Sequence, residues 1–248
     1  MSGDWDEALA MSDQLPRDRA GEIRTAFPSL VGSQARVLVA RGDLEQVRQN
    51  QELFADWATS GDVQERTAYQ TGRAVLLRAE GRLADAAGAA ELALAAGPAL
   101  GHSNEGFKEA LVEAVEASLE MGDTERAERS LSLVDGLPEG RKPQYLQAQL
   151  ARLRARLNQI QGQDQGLDEE VEPGFKRAAG MFRELGTPYW LAVTLLEQAE
   201  WLVSQGRSSE ATPLLNEARE AFVRLKAKPW IERSDRVPVM EQASSSSS

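Results

Sequence analysis

The chain has no cysteine and a single histidine, His102, among its 248 residues. The lack of cysteine excludes disulfides, thiolate metal sites and cysteine nucleophiles, and it is compatible with the reducing cytoplasm in which we expect the protein to reside. No run of about 18 apolar residues is present, and the first residues lack the basic and apolar segments of a signal peptide. We therefore predict no membrane contact.

Basic residues are also scarce relative to acidic ones. Lysine and arginine total 28 against 39 aspartates and glutamates, which gives a net charge of −11. A chain of this charge repels phosphate backbones, so we expect no broad contact with nucleic acid through counterion release. Paired catalytic groups would have to come from carboxylates, lysine or tyrosine, and we predict neither an enzyme active site nor a cofactor or metal site.

What the sequence does contain is a repeat marked by glycine. The marker glycines, separated by about 40 residues, are Gly3, Gly42, Gly81, Gly122, Gly162 and Gly206. Five residues after them stand Ala8, Val47, Ala86, Ala127, Leu167 and Ala211. A period of this length with one glycine turn per copy is typical of stacked helical hairpins, because a hairpin buries its apolar face only against a neighbour.

Apolar residues recur at three- and four-residue spacing before the marker glycines, for example in RAVLLRAEG and LVEAVEASLEMG. This spacing predicts a first helix that stops at each glycine, followed by a second helix with the small residue at the contact. The predicted fold is all-α: a right-handed superhelical α-solenoid of stacked antiparallel hairpins. Residues 1–235 would form this array and residues 236–248, which end in serines, a disordered tail.

Two segments depart from the regular pattern. The stretch from Gly162 to Gly174 carries five acidic residues and no basic one, and it predicts a solvated loop inside the fifth hairpin; its spacing does not match a calcium-binding loop. The first hairpin is incomplete, because only two residues precede Gly3. We expect Trp5, Ala8 and Leu9 to have an uncovered face, and the chain to be the carboxy-terminal piece of a longer protein.

The segment from Phe175 to Arg233, with the motifs MFRELG, GRSSEA and KPWIER, resembles the last tetratricopeptide-type repeats of large bacterial signal-transduction ATPases. That group includes multidomain adenylate cyclases and maltose-regulator-like transcription activators. The resemblance implies a sensor or scaffold that receives a partner and biases an upstream module. The sequence has no G-x-x-x-x-G-K-[ST] loop, so ATP hydrolysis is not expected of this chain.

In such superhelices the first helices line a concave groove. Counting back three, six and ten residues from the marker glycines gives a set of candidate partner-binding residues. They are Arg36, Thr71, Arg78, Glu116, Arg152, Arg156, Gln159 and Glu200. Arg152 and Arg156 lie one helical turn apart and would present two guanidinium groups to a carboxylate or phosphate. The alternative is that both arginines pair with neighbouring carboxylates or are solvated.

Two functional hypotheses remain open at this point. The first is a non-catalytic interaction scaffold that holds a protein or peptide partner, or an upstream domain of the same polypeptide, in its groove; such an array could also dimerise. The second is the regulatory fragment of an adenylate cyclase or ATPase whose catalytic domains lie upstream. His102, in GHSNEG, lacks the G-x-S-x-G spacing of a hydrolase and is expected in a turn. Trp230, in KPWIER, is predicted to cover the end of the array.

Overall fold

The computed structural model describes residues 5–13, 28–138, 140, 142–165 and 167–238. Every regular element in these ranges is an α-helix or a 3-10 helix, and no strand occurs among them. The all-α prediction is therefore confirmed. Gly3 and the serines of the predicted tail lie outside the described residues.

Most helices come in consecutive pairs joined by short turns. In chain order the helices are α1 (Trp5–Asp13), α2 (Pro28–Arg41), α3 (Leu44–Leu53), α4 (Val63–Ala79), α5 (Leu83–Leu94), α6 (Gly97–Leu100), α7 (Glu105–Glu120), α8 (Thr124–Asp135), α9 (Gln144–Gln165), α10 (Val171–Glu184), α11 (Pro188–Ser204), α12 (Ser208–Leu225) and α13 (Lys228–Asp235). Short 3-10 helices span Ala55–Thr59 and Leu167–Glu170. We refer to α2, α4, α7, α9 and α11 as the first helices and to α3, α5, α8, α10 and α12 as the second helices.

Glycine turns connect the helices of four pairs. Gly42, Gly81, Gly122 and Gly206 have φ angles between 74° and 84°, a region that favours glycine because it has no side chain. At the first of these turns the amide of Gly42 donates to the carbonyl of Val39, and the amide of Asp43 donates to that of Leu38, both at 2.9 Å. This pattern satisfies the last carbonyls of the first helix. These four glycines therefore end first helices as predicted.

The small residues five positions after the glycines lie at helix contacts. Ala86, Ala127 and Ala211 have no exposed surface, and Val47 is equally buried. Each first helix packs on its second helix, and α4 and α5 both contact α7 of the following pair. A small side chain at the contact allows the helix backbones to approach closely, which explains why alanine recurs there.

The fifth pair departs from the prediction. Helix α9 does not stop at Gly162 but continues to Gln165, and α10 begins at Val171 after a 3-10 turn. The predicted acidic loop from Gly162 to Gly174 is therefore wrong over its described residues. Gly162 does not take the left-handed conformation that Gly42, Gly81, Gly122 and Gly206 take after the other first helices, and the extra residues of the longer repeat are absorbed as further helix.

Residues near the two ends of the described chain are in contact. Trp5 of α1 lies 5.2 Å from the ring of Tyr189 in α11, between centroids. The carboxylate of Asp6 accepts hydrogen bonds from Arg41 at the end of α2 and from Lys226 after α12, both at 2.7 Å. Helix α13 also packs against α2. The first and last helix pairs are thus joined directly.

This contact corrects the expectation of an uncovered amino-terminal face. Trp5 is only 3% exposed, and Leu9 packs partly buried against two groups of core residues. The surface that covers Trp5 comes from residues about 180 positions later in the chain, which no local pattern indicates. The side chain of Ala8 lies outside the described residues.

One stretch, Leu83–Leu100, has the length and mean hydropathy, 1.2, that a membrane span also has. It includes α5 and α6. The core helix of a soluble protein can have the same length and hydropathy. The alanines of α5, such as Ala86, Ala87 and Ala90, are fully buried against neighbouring helices. Packing against neighbouring helices accounts for the buried part of this stretch, whereas Leu92 is exposed.

Candidate functional site

The first helices converge on a group of arginines and glutamates that lie inside the protein. We call this group the central ion cluster. Its members are Arg36 of α2, Arg78 of α4, Glu109, Glu113, Glu116 and Glu120 of α7, Arg152 and Arg156 of α9, and Glu197 of α11. Buried charges of this kind are stable only when each is paired and hydrogen-bonded.

One half of the cluster links α2 and α4 to α7. Arg36 donates to Glu109 and, at 2.7 Å, to Glu113. Arg78 donates to the other oxygen of Glu113 at 2.7 Å and to Glu120 at 2.8 Å. Glu113, with no exposed surface, therefore bridges two guanidinium groups. This half fixes the positions of three first helices relative to one another.

The other half links α7 to α9 and α11. Arg152, 1% exposed, donates through Nε and Nη2 to the two oxygens of Glu197, both at 2.7 Å. Its Nη2 also donates to Glu116, and its Nη1 donates to Gln149 at 3.1 Å. Arg156 completes this half by donating to the second oxygen of Glu116. A paired guanidinium fork of this type fixes both distance and orientation.

Trp190 joins the two halves. The guanidinium carbons of Arg36 and Arg152 lie 5.0 and 5.1 Å from its ring centroid, within the range of cation–π attraction. Its indole nitrogen is buried without a hydrogen-bond partner among the described residues. Trp190 therefore serves here as an apolar and π surface rather than as a hydrogen-bond donor.

The surroundings favour the charged forms of Glu116 and Arg152. Burial by itself raises the pKa of Glu116, but the guanidinium groups of Arg152 and Arg156 hold that pKa well below its ordinary value. Burial opposes the charge of Arg152 too, yet Glu116 and Glu197 hold its pKa above the ordinary value. Glu120 is the exception, because burial raises its pKa despite Arg78.

A cleft opens beside the cluster, where the first and last helix pairs meet. We call it the seam cleft; its volume is about 400 Å³. It is lined by Arg36, Val39, Gly42, Leu44, Val75, Arg78, Ala79, Tyr189, Pro229, Trp230 and Arg233. Gly42 and Pro229 meet at this seam, since a Cβ atom on Gly42 would lie 3.5 Å from Cγ of Pro229. Cavities of this size and apolar lining are typical of small-molecule sites.

Two walls of the seam cleft carry polar groups on an apolar background. Arg233 donates to both oxygens of Glu200, at 2.8 and 2.6 Å, and its guanidinium carbon lies 5.3 Å from the ring of Trp230. Trp230 stacks on Phe222 at 5.5 Å and meets Tyr189 edge-on at 5.8 Å. The half-buried Trp230 thus forms part of the cleft wall.

The central ion cluster contains five of the eight predicted groove residues, namely Arg36, Arg78, Glu116, Arg152 and Arg156, and half of the eight are buried. Arg36, Thr71, Glu116 and Arg152 are each less than 5% exposed, so a partner does not reach them in this conformation. Arg78, Arg156, Gln159 and Glu200 are partly buried. The pairing of Arg152 and Arg156 with carboxylates is the alternative named for them from sequence. A partner-binding role for the eight residues stays a prediction.

Sequence reasoning missed several members of the cluster and of the cleft. Glu113 and Glu197 each lie nine residues before a marker glycine, on the same helical face as the positions counted at six and ten. Counting back nine residues from each marker glycine as well would have found both glutamates. Tyr189 and Arg233 give no such signal, because they enter the cleft only through the contact between the two ends of the chain.

Other sequence candidates lie apart from this site. His102 sits between α6 and α7 with its ring 4.8 Å from that of Phe107, between centroids, as expected of a turn residue packed on the next helix. No group of three or more potential metal ligands is found among the described side chains. The side chains of residues 163–168, within the acidic stretch, lie outside them.

Comparison of the sequence with protein-family models and with curated proteins finds no match. The functional argument therefore depends on the geometry of this chain alone.

Proposed function

We propose that the chain is a non-catalytic sensor scaffold built from tetratricopeptide-like helical repeats, with the seam cleft as its binding site. The pairs would follow one another in a right-handed superhelical solenoid. The contacts of α4 and α5 with α7, and the repeated glycine turns, support this arrangement. The proposal replaces the open concave groove with the cleft as the place of binding, because the groove face is occupied by the central ion cluster.

The observation that carries the proposal is the position of the cleft between the two ends of the helix array. Its walls come from α2 and α4 on one side and from α11 and α13 on the other. A ligand in this position contacts both ends of the repeat array at once. Binding of the ligand would stabilise the conformation in which the two ends are joined and would raise its population. An attached domain or a protein partner would respond to this change in population.

A fragment screen tests this function. We would measure thermal unfolding of the wild-type chain against a library of small molecules, and repeat it with Ala79→Trp and Ala84→Trp. Both alanines are exposed helix residues, but Ala79 lines the seam cleft and Ala84 lies on α5 outside it. We expect fragments that raise the unfolding temperature of the wild type and of Ala84→Trp, but not that of Ala79→Trp.

Two results would contradict the proposal. One is a screen without any stabilising fragment. The other is a set of fragments that stabilise Ala79→Trp as much as the wild type, which would place binding elsewhere. Turnover of a substrate by the purified chain would contradict the non-catalytic part of the proposal.

A further inference from the structure

The lining of the seam cleft is positively charged in a chain that is acidic as a whole. Arg36, Arg78 and Arg233 line it, and no acidic residue is among the described residues that do. The glutamates that pair with these arginines, such as Glu113 and Glu200, are not part of the lining. Arg36 and Arg78 are held by the glutamates of the central ion cluster, so Arg233, the most exposed of the three, is the arginine that attracts an anion to this cleft with apolar walls.

Arg233 retains a donor for a ligand. Its Nε and Nη2 atoms bond Glu200, and its Nη1 atom has no hydrogen bond to any described residue. The side chain of Arg233 is 38% exposed, so a ligand reaches it without unfolding the helix. A carboxylate is one of the groups whose size and planarity a guanidinium matches.

Tyr189 supplies a second unused polar group. The residue is 4% exposed and lines the cleft, yet its hydroxyl makes no hydrogen bond to the described residues. Burial raises the pKa of Tyr189 to about 12, so the hydroxyl carries its proton and can donate it in a hydrogen bond. A phenol hydroxyl at the wall of the cleft that makes no hydrogen bond within the described part of the protein can donate to a ligand there.

The remaining walls are apolar. Val39, Leu44, Val75 and Pro229 line the cleft together with the ring of Trp230. Such walls bind a ring or a branched aliphatic group by removing it from water. A volume of about 400 Å³ lies in the range of sites for small molecules rather than for folded partners.

We infer that the seam cleft binds a small organic acid that joins one carboxylate to an aromatic or branched apolar group. The apolar group packs on Trp230 and the aliphatic walls, and the carboxylate accepts hydrogen bonds from the free donors of Arg233 and Tyr189. This inference rests on the proposed function, and it names the chemical class of the ligand that the sensor receives.

A matched pair of probes tests the carboxylate. The affinities of 3-phenylpropionate and of its neutral amide, 3-phenylpropanamide, would be measured by calorimetric titration up to about 10 mM, a range that detects the weak binding of small probes. We expect the acid to bind about tenfold more tightly, since a charge-assisted hydrogen bond is stronger than a neutral one. Equal affinities, or no binding of the acid, would overturn the inference.

Two further variants assign the effect to residues. Arg233→Gln should remove the preference for the acid, whereas Arg183→Gln, at a more exposed arginine paired with Glu217 outside the cleft, should keep it. Tyr189→Phe should weaken binding of the acid without lowering the unfolding temperature of the free protein, because the hydroxyl has no protein partner to lose. A preference for the acid that survives both Arg233→Gln and Tyr189→Phe would overturn the inference.

Different experimental results would overturn the inferred ligand class and the proposed function. Neutral apolar fragments that bind in the cleft, with no preference for acids, would overturn this inference and leave the proposed function in place. A pentapeptide that ends in phenylalanine serves as a third probe. If the peptide binds and 3-phenylpropionate does not, the cleft recognises a chain terminus, and the assignment to a small acid is wrong.

Discussion

Arg152 and Arg126 each pair with glutamates of neighbouring helix pairs, but in different surroundings. Arg152, on a first helix, is 1% exposed and bonds Glu116 and Glu197, which are also buried. Arg126, on a second helix, bonds both oxygens of Glu91 at 2.6 and 2.8 Å, with side chains 19% and 45% exposed. The same chemical pairing thus occurs on the inner and on the outer side of the helix pairs.

The difference lies in what remains when a partner is removed. A glutamate on the surface returns to water at little cost, and surface pairs contribute about 0–1 kcal/mol. A glutamate inside the protein has no water to return to, so removing its arginine leaves an uncompensated charge. We therefore expect the inner pairs to specify the arrangement of the first helices and the outer pairs to add little.

The largest effect should come from Arg152→Ala. It leaves Glu116 and Glu197 without their main partner and should lower the free energy of unfolding by about 3–5 kcal/mol. Urea denaturation followed by circular dichroism measures this change. The double variant Arg152→Ala/Glu197→Ala should recover part of the loss, because one of the two stranded charges is gone. A loss below about 1 kcal/mol for Arg152→Ala would show that the cluster is hydrated.

The contact between the ends of the chain should be next in size. Trp5→Ala removes a buried indole from Tyr189 and should lower the free energy of unfolding by about 3 kcal/mol, the lower end for a buried tryptophan. The control is Asp6→Ala, which removes the ion pairs of the exposed Asp6 with Arg41 and Lys226 and should cost less than Trp5→Ala. If Trp5→Ala costs no more than Asp6→Ala, α1 does not dock as described.

The pH dependence of stability separates the two kinds of pair further. The pKa of Glu116 is held well below its ordinary value in the folded protein, so its stabilising contribution is present above the unfolded-state pKa of about 4.5 and is lost as pH falls through the folded pKa. Glu120 acts in the opposite sense, because burial raises its pKa. We expect stability to fall on acidification below pH 4.5, and to fall less steeply in Glu116→Gln.

The matched control for this titration is Glu91→Gln, on the outer side. Its acid profile should follow that of the wild type apart from a small uniform offset. Identical acid profiles for Glu116→Gln and the wild type would mean that the inner glutamates do not drive acid unfolding.

The smallest effect should come from Arg126→Ala. The loss of its surface pair with Glu91 should change the free energy of unfolding by less than about 1 kcal/mol and should diminish further in high salt. Denaturation at low and high ionic strength measures both quantities. A loss comparable with that of Arg152→Ala would remove the distinction between inner and outer pairs.

Much of the local architecture could be predicted from sequence. The turns at Gly42, Gly81, Gly122 and Gly206 and the buried Ala86, Ala127 and Ala211 follow from rules that act within about ten residues. The same register placed Arg36, Glu116 and Arg152 on one face. The handedness of the array stays a prediction.

The closure of that face could not be predicted in the same way. Whether stacked helix pairs leave an open groove depends on small rotations between neighbours that accumulate along the chain. The contact of Trp5 with Tyr189 and the seam cleft both join residues that are far apart in the sequence, so no pattern within one helix pair indicates them. Gly162 could not be predicted for a local reason. Whether a helix stops at a glycine or continues for another turn depends on the conformational preferences of the residues around it, and the spacing of the glycines does not reveal them.

Chemical modification of arginines in the unmodified native chain tests the central claim most directly. Reaction with an arginine-specific dicarbonyl reagent, followed by mass spectrometry, gives a rate for each arginine. We predict that Arg36 and Arg152 react on the order of tenfold or more slowly than the exposed Arg82 and Arg129, because they become accessible only when the helices open. Equal rates at all four positions would show that the face formed by the first helices is open to solvent and would contradict the account.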